Sequence, residues 1–291
     1  MPKHAVPTFY LYGEPHRAVD ADFIHVEPLD DRSRPSDWTI RPHAHAELSQ
    51  LFLLSSGAGS MQADGCAMAF VAPALLVMPA TIVHGFSWAS DSAGWVATMA
   101  QTELKALIGD DEEIATLFAA ARAAPLSLEE LATAEKRMAA LGRELGWSAP
   151  GRRAALRAAL LDLVVLALRG TMLAPAAQAP PGRQAALVAR FRERIDHRFR
   201  QREPVQRHAA ALGVSESTLR AACIEIAGLS PAMMIDQRAI LEARRALIYS
   251  SLPIAELGYA LGFTDPAYFS RFFARHVGHS PRDHRARRGQ V

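Results

Sequence analysis

Lysine is absent from Gly182 to Val291, where all 18 cations are arginine, and cysteine is scarce throughout, with Cys66 and Cys223 alone in 291 residues. Two thiols exclude a disulfide framework and fit a reducing cytoplasm. No apolar run approaches the ~18 uncharged residues of a membrane span, because the most apolar stretch, Ala158 to Leu168, is interrupted by Asp162. The first residues lead into no apolar segment of the secretory type, so no export signal is expected. What is present is ample core material: 50% of residues are hydrophobic and 21% charged. At this length about two domains of roughly 100–150 residues are expected.

The net charge of +2 conceals a division. Residues 1–181 carry 14 cations against 20 anions, net −6, and residues 182–291 carry 18 against 10, net +8. Arginine suits bidentate recognition of phosphate and guanine, so the basic third is a candidate nucleic-acid partner, unless the bias is merely a solvated surface. The sign changes at Ala174 to Gly182, which has three prolines in nine residues and no apolar periodicity, the composition of an extended linker.

Upstream, residues 1–100 hold short apolar runs (Leu48 to Leu54, Met68 to Val71, Ala74 to Met78, Trp95 to Met99) separated by Gly, Pro and Asp breaks, which predicts a small antiparallel sandwich or barrel. From Gln101 the pattern turns helical. Leu156, Leu160, Leu163 and Ala167 recur at steps of four, three and four, an apolar seam that packs either on its own domain or across a dimer.

The last hundred residues contain a repeat. Leu212-Gly213-Val214-Ser215 to Leu219, closing at Gly228 and Ser230-Pro231, parallels Leu261-Gly262-Phe263-Thr264-Asp265 to Phe269, closing at Gly278 and Ser280-Pro281. Each copy reads as a short helix, a glycine able to take positive φ, a capping residue and a second helix, the helix-turn-helix arrangement. In the second helices Leu219, Cys223 and Ile226, and Phe269, Phe272 and Phe273, share a core face. The opposite faces carry Ser217, Thr218, Arg220 and Ala221, then Ala267, Ser270, Arg271 and Ala274, small or hydrogen-bonding residues that suit a major groove.

The stretch Ile254 to Phe273, followed by Gly278-His279-Ser280-Pro281, resembles the signature of AraC/XylS-type transcriptional regulators. That resemblance implies two helix-turn-helix units in successive major grooves of an operator, with Ser217, Thr218, Arg220, Ala221, Ala267, Ser270 and Arg271 facing DNA. Ala221 stands where many such proteins carry an arginine matching Arg271, so the first unit is expected to make fewer strong base contacts.

Arg41-Pro42-His43-Ala44-His45, with Gly57, Gly59 and the later His84-Gly85-Phe86, resembles the two halves of a cupin barrel. Strand alternation would set His43, His45 and Glu47 on one face. A metal site of His43, His45 and His84, with Glu47 or Gln50, is one reading. Hydrogen-bonding groups of a ligand pocket are the other, favoured because Gln50 and Thr81 replace residues usual in metal-binding cupins. The segment Val6 to Glu14, with Asp37-Trp38 and Val83 to Phe86, is similar to aromatic-acid-responsive regulators of the 4-hydroxybenzoate type, which implies an effector site drawn from Trp38, Arg41, His43, His45, Gln50, His84 and Phe86.

Together these expectations describe an α+β multidomain chain: a cupin-like barrel sensing an effector at 1–100, a helical dimerisation region at 101–173, a linker at 174–182 and an all-α double helix-turn-helix domain at 183–291. The implied function is an effector-controlled, cytoplasmic transcription regulator, most simply an activator acting on RNA polymerase, a homodimer with no cofactor and no membrane partner. The contrasting reading is a metal-dependent cupin enzyme fused to an autoregulatory DNA-binding module.

Overall fold

A computed structural model describes residues 7, 10–14, 19–109, 111–173 and 182–286. The chain forms two compact units, Met1–Gly182 and Arg183–Val291. Most of the Pro-rich linker stretch, 174–181, lies outside the described residues, as do parts of the extreme N-terminal segment.

Among its described residues the first unit holds nine strands: β1 (Ile24–Pro28), β2 (Thr39–His43), β3 (Leu48–Ser56), β4 (Ala58–Ala63), β5 (Cys66–Val71), β6 (Ala74–Met78), β7 (His84–Trp88), β8 (Ala93–Ala100) and β9 (Arg122–Pro125). They form two antiparallel sheets, ordered β1-β8-β3-β6-β9 and β2-β7-β4-β5. The expected closed barrel is therefore corrected to a sandwich: each sheet ends on strands that pair on one side, so hydrogen bonding does not close the circuit.

The continuous apolar run of β3 follows from burial on both faces. Leu51 and Leu53 pack with Leu75, Val77 and Met99 beneath the helices, whereas Phe52 and Leu54 face the other sheet with Leu76, Met78, Met61, Phe86 and Trp88. Between β4 and β5, Asp64 and Gly65 take φ of 47° and 78°, the paired left-handed geometry of a tight hairpin.

The α-helices among the described residues of this unit are α1 (Leu29–Ser33), α2 (Gln101–Ile108), α3 (Glu112–Leu117), α4 (Leu128–Gly146) and α5 (Arg152–Leu173). Ser127 starts α4 with a capping box closed by Glu130. Helices α2 to α5 share one core with the larger sheet, and β9 joins that sheet beside β6, so the region after residue 100 is continuous with the sandwich. The seam Leu156, Leu160, Leu163 and Ala167 is spent inside this core.

The second unit is helical: α6 (Arg183–Arg198), α7 (Val205–Ala211), α8 (Glu216–Ala227), α9 (Pro231–Tyr249), α10 (Ile254–Ala260), α11 (Pro266–Val277) and α12 (Pro281–Ala286). No single helix among the described residues is long and apolar enough to cross a membrane.

Candidate nucleic-acid interface and sensor cluster

The helix pairs α7–α8 and α10–α11 repeat one local design. Gly213 (φ +72°) and Gly262 (φ +82°) make the turns in a conformation that side chains disfavour. The Ser215 hydroxyl accepts the Thr218 N–H at 3.1 Å to begin α8, and Asp265 accepts the Ala267 N–H at 2.8 Å to begin α11, with Pro266 at the first helical position. Gly228 and Gly278 end both helices in the left-handed region, after which Ser230-Pro231 and Ser280-Pro281 open α9 and α12.

Apolar burial decides which faces remain outward. Leu219, Ala222, Cys223 and Ile226 of α8 are buried, as are Phe269, Phe272 and Phe273 of α11. Burial pushes the Cys223 thiol up to about 11, so it behaves as a small apolar group. Ser217, Thr218, Arg220 and Ala221 are exposed, and so are Ala267 and Arg271. Ser270 is half-buried and its hydroxyl donates to the Pro266 carbonyl at 3.0 Å. The Ser217 and Thr218 hydroxyls lie 2.9 and 2.8 Å from the Ser215 oxygen.

The exposed faces differ in charge. Glu216 and Glu225 accompany Arg220 on α8, whereas Arg271 and Arg275 are exposed on α11. Arg275 was missed by motif reasoning, although its spacing of four from Arg271 puts both on one helix face.

Several arginines of this unit serve the fold. Arg202 lies over Phe263 at 4.5 Å and Phe272 at 4.9 Å and donates to Asp236. Arg238 stacks on Phe199 at 4.1 Å while pairing with Asp196 and Glu242. Arg194 holds Glu203 at 2.6 Å. The +8 of this unit thus overstates the cations open to a phosphate backbone.

In the first unit three histidines from separate segments converge. His43 ends β2, His45 follows in the connection to β3, and His84 begins β7, with 2%, 1% and 2% of their surface exposed. Ring centroids are 4.3 Å apart for His43 and His84, 4.9 Å for His43 and His45, and 5.4 Å for His45 and His84. The Nδ1 atoms of His43 and His84 lie 2.8 and 2.9 Å from the carbonyls of Arg41 and Ile82. A carbonyl only accepts, so Nδ1 carries the proton and Nε2 the lone pair. Burial, then the charge of His45, pushes the His43 pKa down to about 3; burial drives His84 well below its ordinary range.

The remaining expected effector residues scatter. Pairing shifts between Ile40 and His43, an irregularity that leaves Arg41 and Pro42 exposed while His43 turns inward. One uninterrupted alternation through His43, His45 and Glu47 does not occur, because β2 ends at His43. Gln50 is buried and donates to the Thr98 hydroxyl at 3.2 Å. Phe86 packs in the inter-sheet core against Phe52 and Trp88. Trp38 lines a different feature, an open cleft of about 460 Å³ shared with Arg34, Trp95, Asp30, Asp91 and Glu135.

A doubled helix-turn-helix with polar outer faces is the architecture of a DNA-binding domain. Residues 208–287 match the family model described as a helix-turn-helix domain. The chain is similar to the transcriptional activator RhaS of Klebsiella pneumoniae strain 342, 30% identical over 154 residues covering 53% of this chain and 52% of that protein. RhaS of Yersinia pestis strain Pestoides F is 36% identical over 59 residues, 20% of this chain and 22% of that protein. A solved regulator with an AraC-type DNA-binding domain from Chromobacterium violaceum shares 24% identity over 36% of this chain and 94% of that one, with a TM-score of 0.34. The matches thus span from about a fifth to about half the length of these curated relatives. The helical unit is thus similar, over residues 208–287, to the helix-turn-helix domains of transcription regulators.

Proposed function

We propose that this chain is a cytoplasmic, sequence-specific DNA-binding transcription regulator governed by a small molecule. The observation that carries the reading is the repeated recognition helix: α8 and α11 bury their apolar faces and leave Ser217, Thr218, Arg220 and Ala221, then Ala267, Ser270 and Arg271, toward a groove. Bulky apolar side chains there would prevent base-edge contact. Activation through RNA polymerase is supported by the activator names of its relatives. Homodimerisation supplies the second half-site of a symmetric operator.

The effector reading, a small aromatic acid such as 4-hydroxybenzoate, rests on the sensor resemblance and on chemistry: a flat ring needs aromatic walls and its carboxylate a cation. The cleft beside Trp38 and Trp95 has the volume, and Arg34 the charge, although three carboxylates share its rim. Two measurements test the reading. Selection of random duplexes on the full-length protein, followed by salt-dependent anisotropy, should give a preferred site bound at least about 10³-fold more tightly than scrambled DNA; equal binding refutes sequence reading. A thermal-shift panel of aromatic acids should raise the melting temperature of the tryptophan-bearing unit, and a folded protein with no hit refutes the effector class.

A further inference from the structure

We infer that the open cleft between α1, the β7–β8 connection and α4 takes a zwitterionic aromatic acid, a one-ring ligand that carries an ammonium group as well as a carboxylate. The inference rests on the small-molecule reading above and narrows it, from aromatic acids in general to those that also bear a positive charge. Two of the four tryptophans of the chain, Trp38 and Trp95, line this cleft of about 460 Å³, an ordinary size for a small-molecule site. Trp38 packs against the inter-sheet core and Trp95 against the core beneath the helices, and both remain half-buried. None of His43, His45 and His84 lines the cleft, which is therefore separate from the buried histidine cluster.

Charge sets the ligand class. One cation, Arg34, shares the lining with three carboxylates, Asp30, Asp91 and Glu135, so one positive against three negative charges leaves −2. Arg34 Nη2 donates to Asp30 Oδ2 at 2.9 Å, and that pair is neutral. The guanidinium lies 5.9 Å from the Trp38 ring, with Nε and Nη1 left to grip a carboxylate beside that aromatic wall. Asp91 and Glu135 are exposed, and among the described residues neither side chain has an ion pair or hydrogen bond. A plain benzoate would add a negative charge next to them with nothing to offset it. An ammonium answers both carboxylates and is attracted to indole faces, whereas a ligand with the ammonium alone leaves the donors of Arg34 unanswered. Ser55 Oγ is buried at the cleft wall with no hydrogen-bond partner among the described residues, a polar atom left for a ring hydroxyl.

The test is calorimetric titration of the full-length protein with two zwitterions and their single-charge counterparts. Tyrosine is set against 4-hydroxyphenylpropionate and tyramine, and 4-aminomethylbenzoate against 4-methylbenzoate and benzylamine, with 4-hydroxybenzoate as a further plain acid. At least one zwitterion should bind about tenfold or more tightly than either of its counterparts. Asp91→Asn combined with Glu135→Gln should abolish the preference over the acid, and Arg34→Gln the preference over the amine. These three side chains are exposed, so the substitutions spare both cores. Glu129→Gln, which removes an exposed α4 carboxylate outside the cleft, should change neither preference. A plain acid that binds as tightly as the zwitterions overturns this inference and leaves the aromatic-acid reading standing. An amine that binds as tightly overturns it too, as does a preference that survives the cleft variants. Folded protein that binds none of these compounds overturns both readings.

Discussion

Gly262 packs so closely on the backbone of Arg200 that a Cβ built on it would fall 1.7 Å from the Arg200 carbonyl oxygen. Its counterpart in the first repeat, Gly213, has nothing among the described residues within 4 Å of the same position. Both have positive φ, so both alanine variants carry left-handed strain, but only one must also displace a main chain. Gly213→Ala should cost about 1–2 kcal/mol and Gly262→Ala about 2–5 kcal/mol, measured as urea midpoints of the helical unit. Equal losses would show that the close approach is irrelevant.

Arg271 and Arg275 are expected to separate base reading from phosphate binding. Arg271→Ala should weaken the selected site by about 1–3 kcal/mol while changing scrambled DNA little. Arg275→Ala should lower both and reduce the slope of log affinity against log salt by about one. Equal loss on both duplexes in Arg271→Ala would remove its base-reading role.

Glu103, at the start of α2, is 2% exposed and accepts from Arg157 at 2.5 and 3.1 Å and from Arg153 at 3.2 Å. Burial raises its pKa, yet the Arg157 and Arg153 hydrogen bonds and charges outweigh it and the net shift is downward. A depressed carboxylate stabilises the fold fully above its ordinary pKa of 4.5 and loses that contribution as pH falls through the folded value. Glu103→Gln should therefore destabilise the first unit by about 1–3 kcal/mol near neutrality and flatten its acid limb. Trp38, Trp88, Trp95 and Trp147 all lie in this unit, so tryptophan emission follows it selectively.

His208 gives the second unit its own acid sensitivity. It is fully buried in α7 against Phe191, and among the described residues neither ring nitrogen has a hydrogen-bond partner. Burial, with Arg194 adding to it against Glu203, lowers its pKa. A histidine held neutral stabilises the fold above its ordinary value of 6.5 and loses that contribution progressively below it. Circular dichroism transitions unaccompanied by a tryptophan signal should weaken below about pH 6.5 in the wild type. His208→Leu should abolish that dependence; an unchanged profile would assign it elsewhere.

The dimer reading now falls on a different helix face. With Leu156, Leu160, Leu163 and Ala167 internal, α5 leaves Ala154, Ala158, Leu161, Val165 and Met172 outward or half-exposed at heptad-like spacing. Leu161→Glu should weaken self-association about tenfold or more by sedimentation, the result of placing a charge in an apolar seam. Self-association that is unchanged, or absent in the wild type, would remove this face as a dimer interface.

Local signals made the helical repeat legible. The glycines at 213, 262, 228 and 278 and the caps at Ser215 and Asp265 act within one or two turns, so their chemistry is written next to the structure it causes. Signals that depend on distant partners were not. Arg122-Ala123-Ala124-Pro125 has no strand character of its own and becomes β9 because β6 offers it an edge. The exposure of Arg41 turns on an irregularity one residue wide, and the internal duties of Arg202 and Arg238 appear only once the rings of Phe263, Phe272 and Phe199 are placed.

The strand pair β6–β9 also dictates where the chain can be cut. A fragment ending at residue 100 would strip β6 of its outer neighbour and expose Leu75 and Val77, both fully covered in the intact protein. It would leave a bare apolar edge open to pairing between copies. Any excised first unit intended for ligand screening therefore has to run through α5, and a shorter one would report its own aggregation in place of ligand binding.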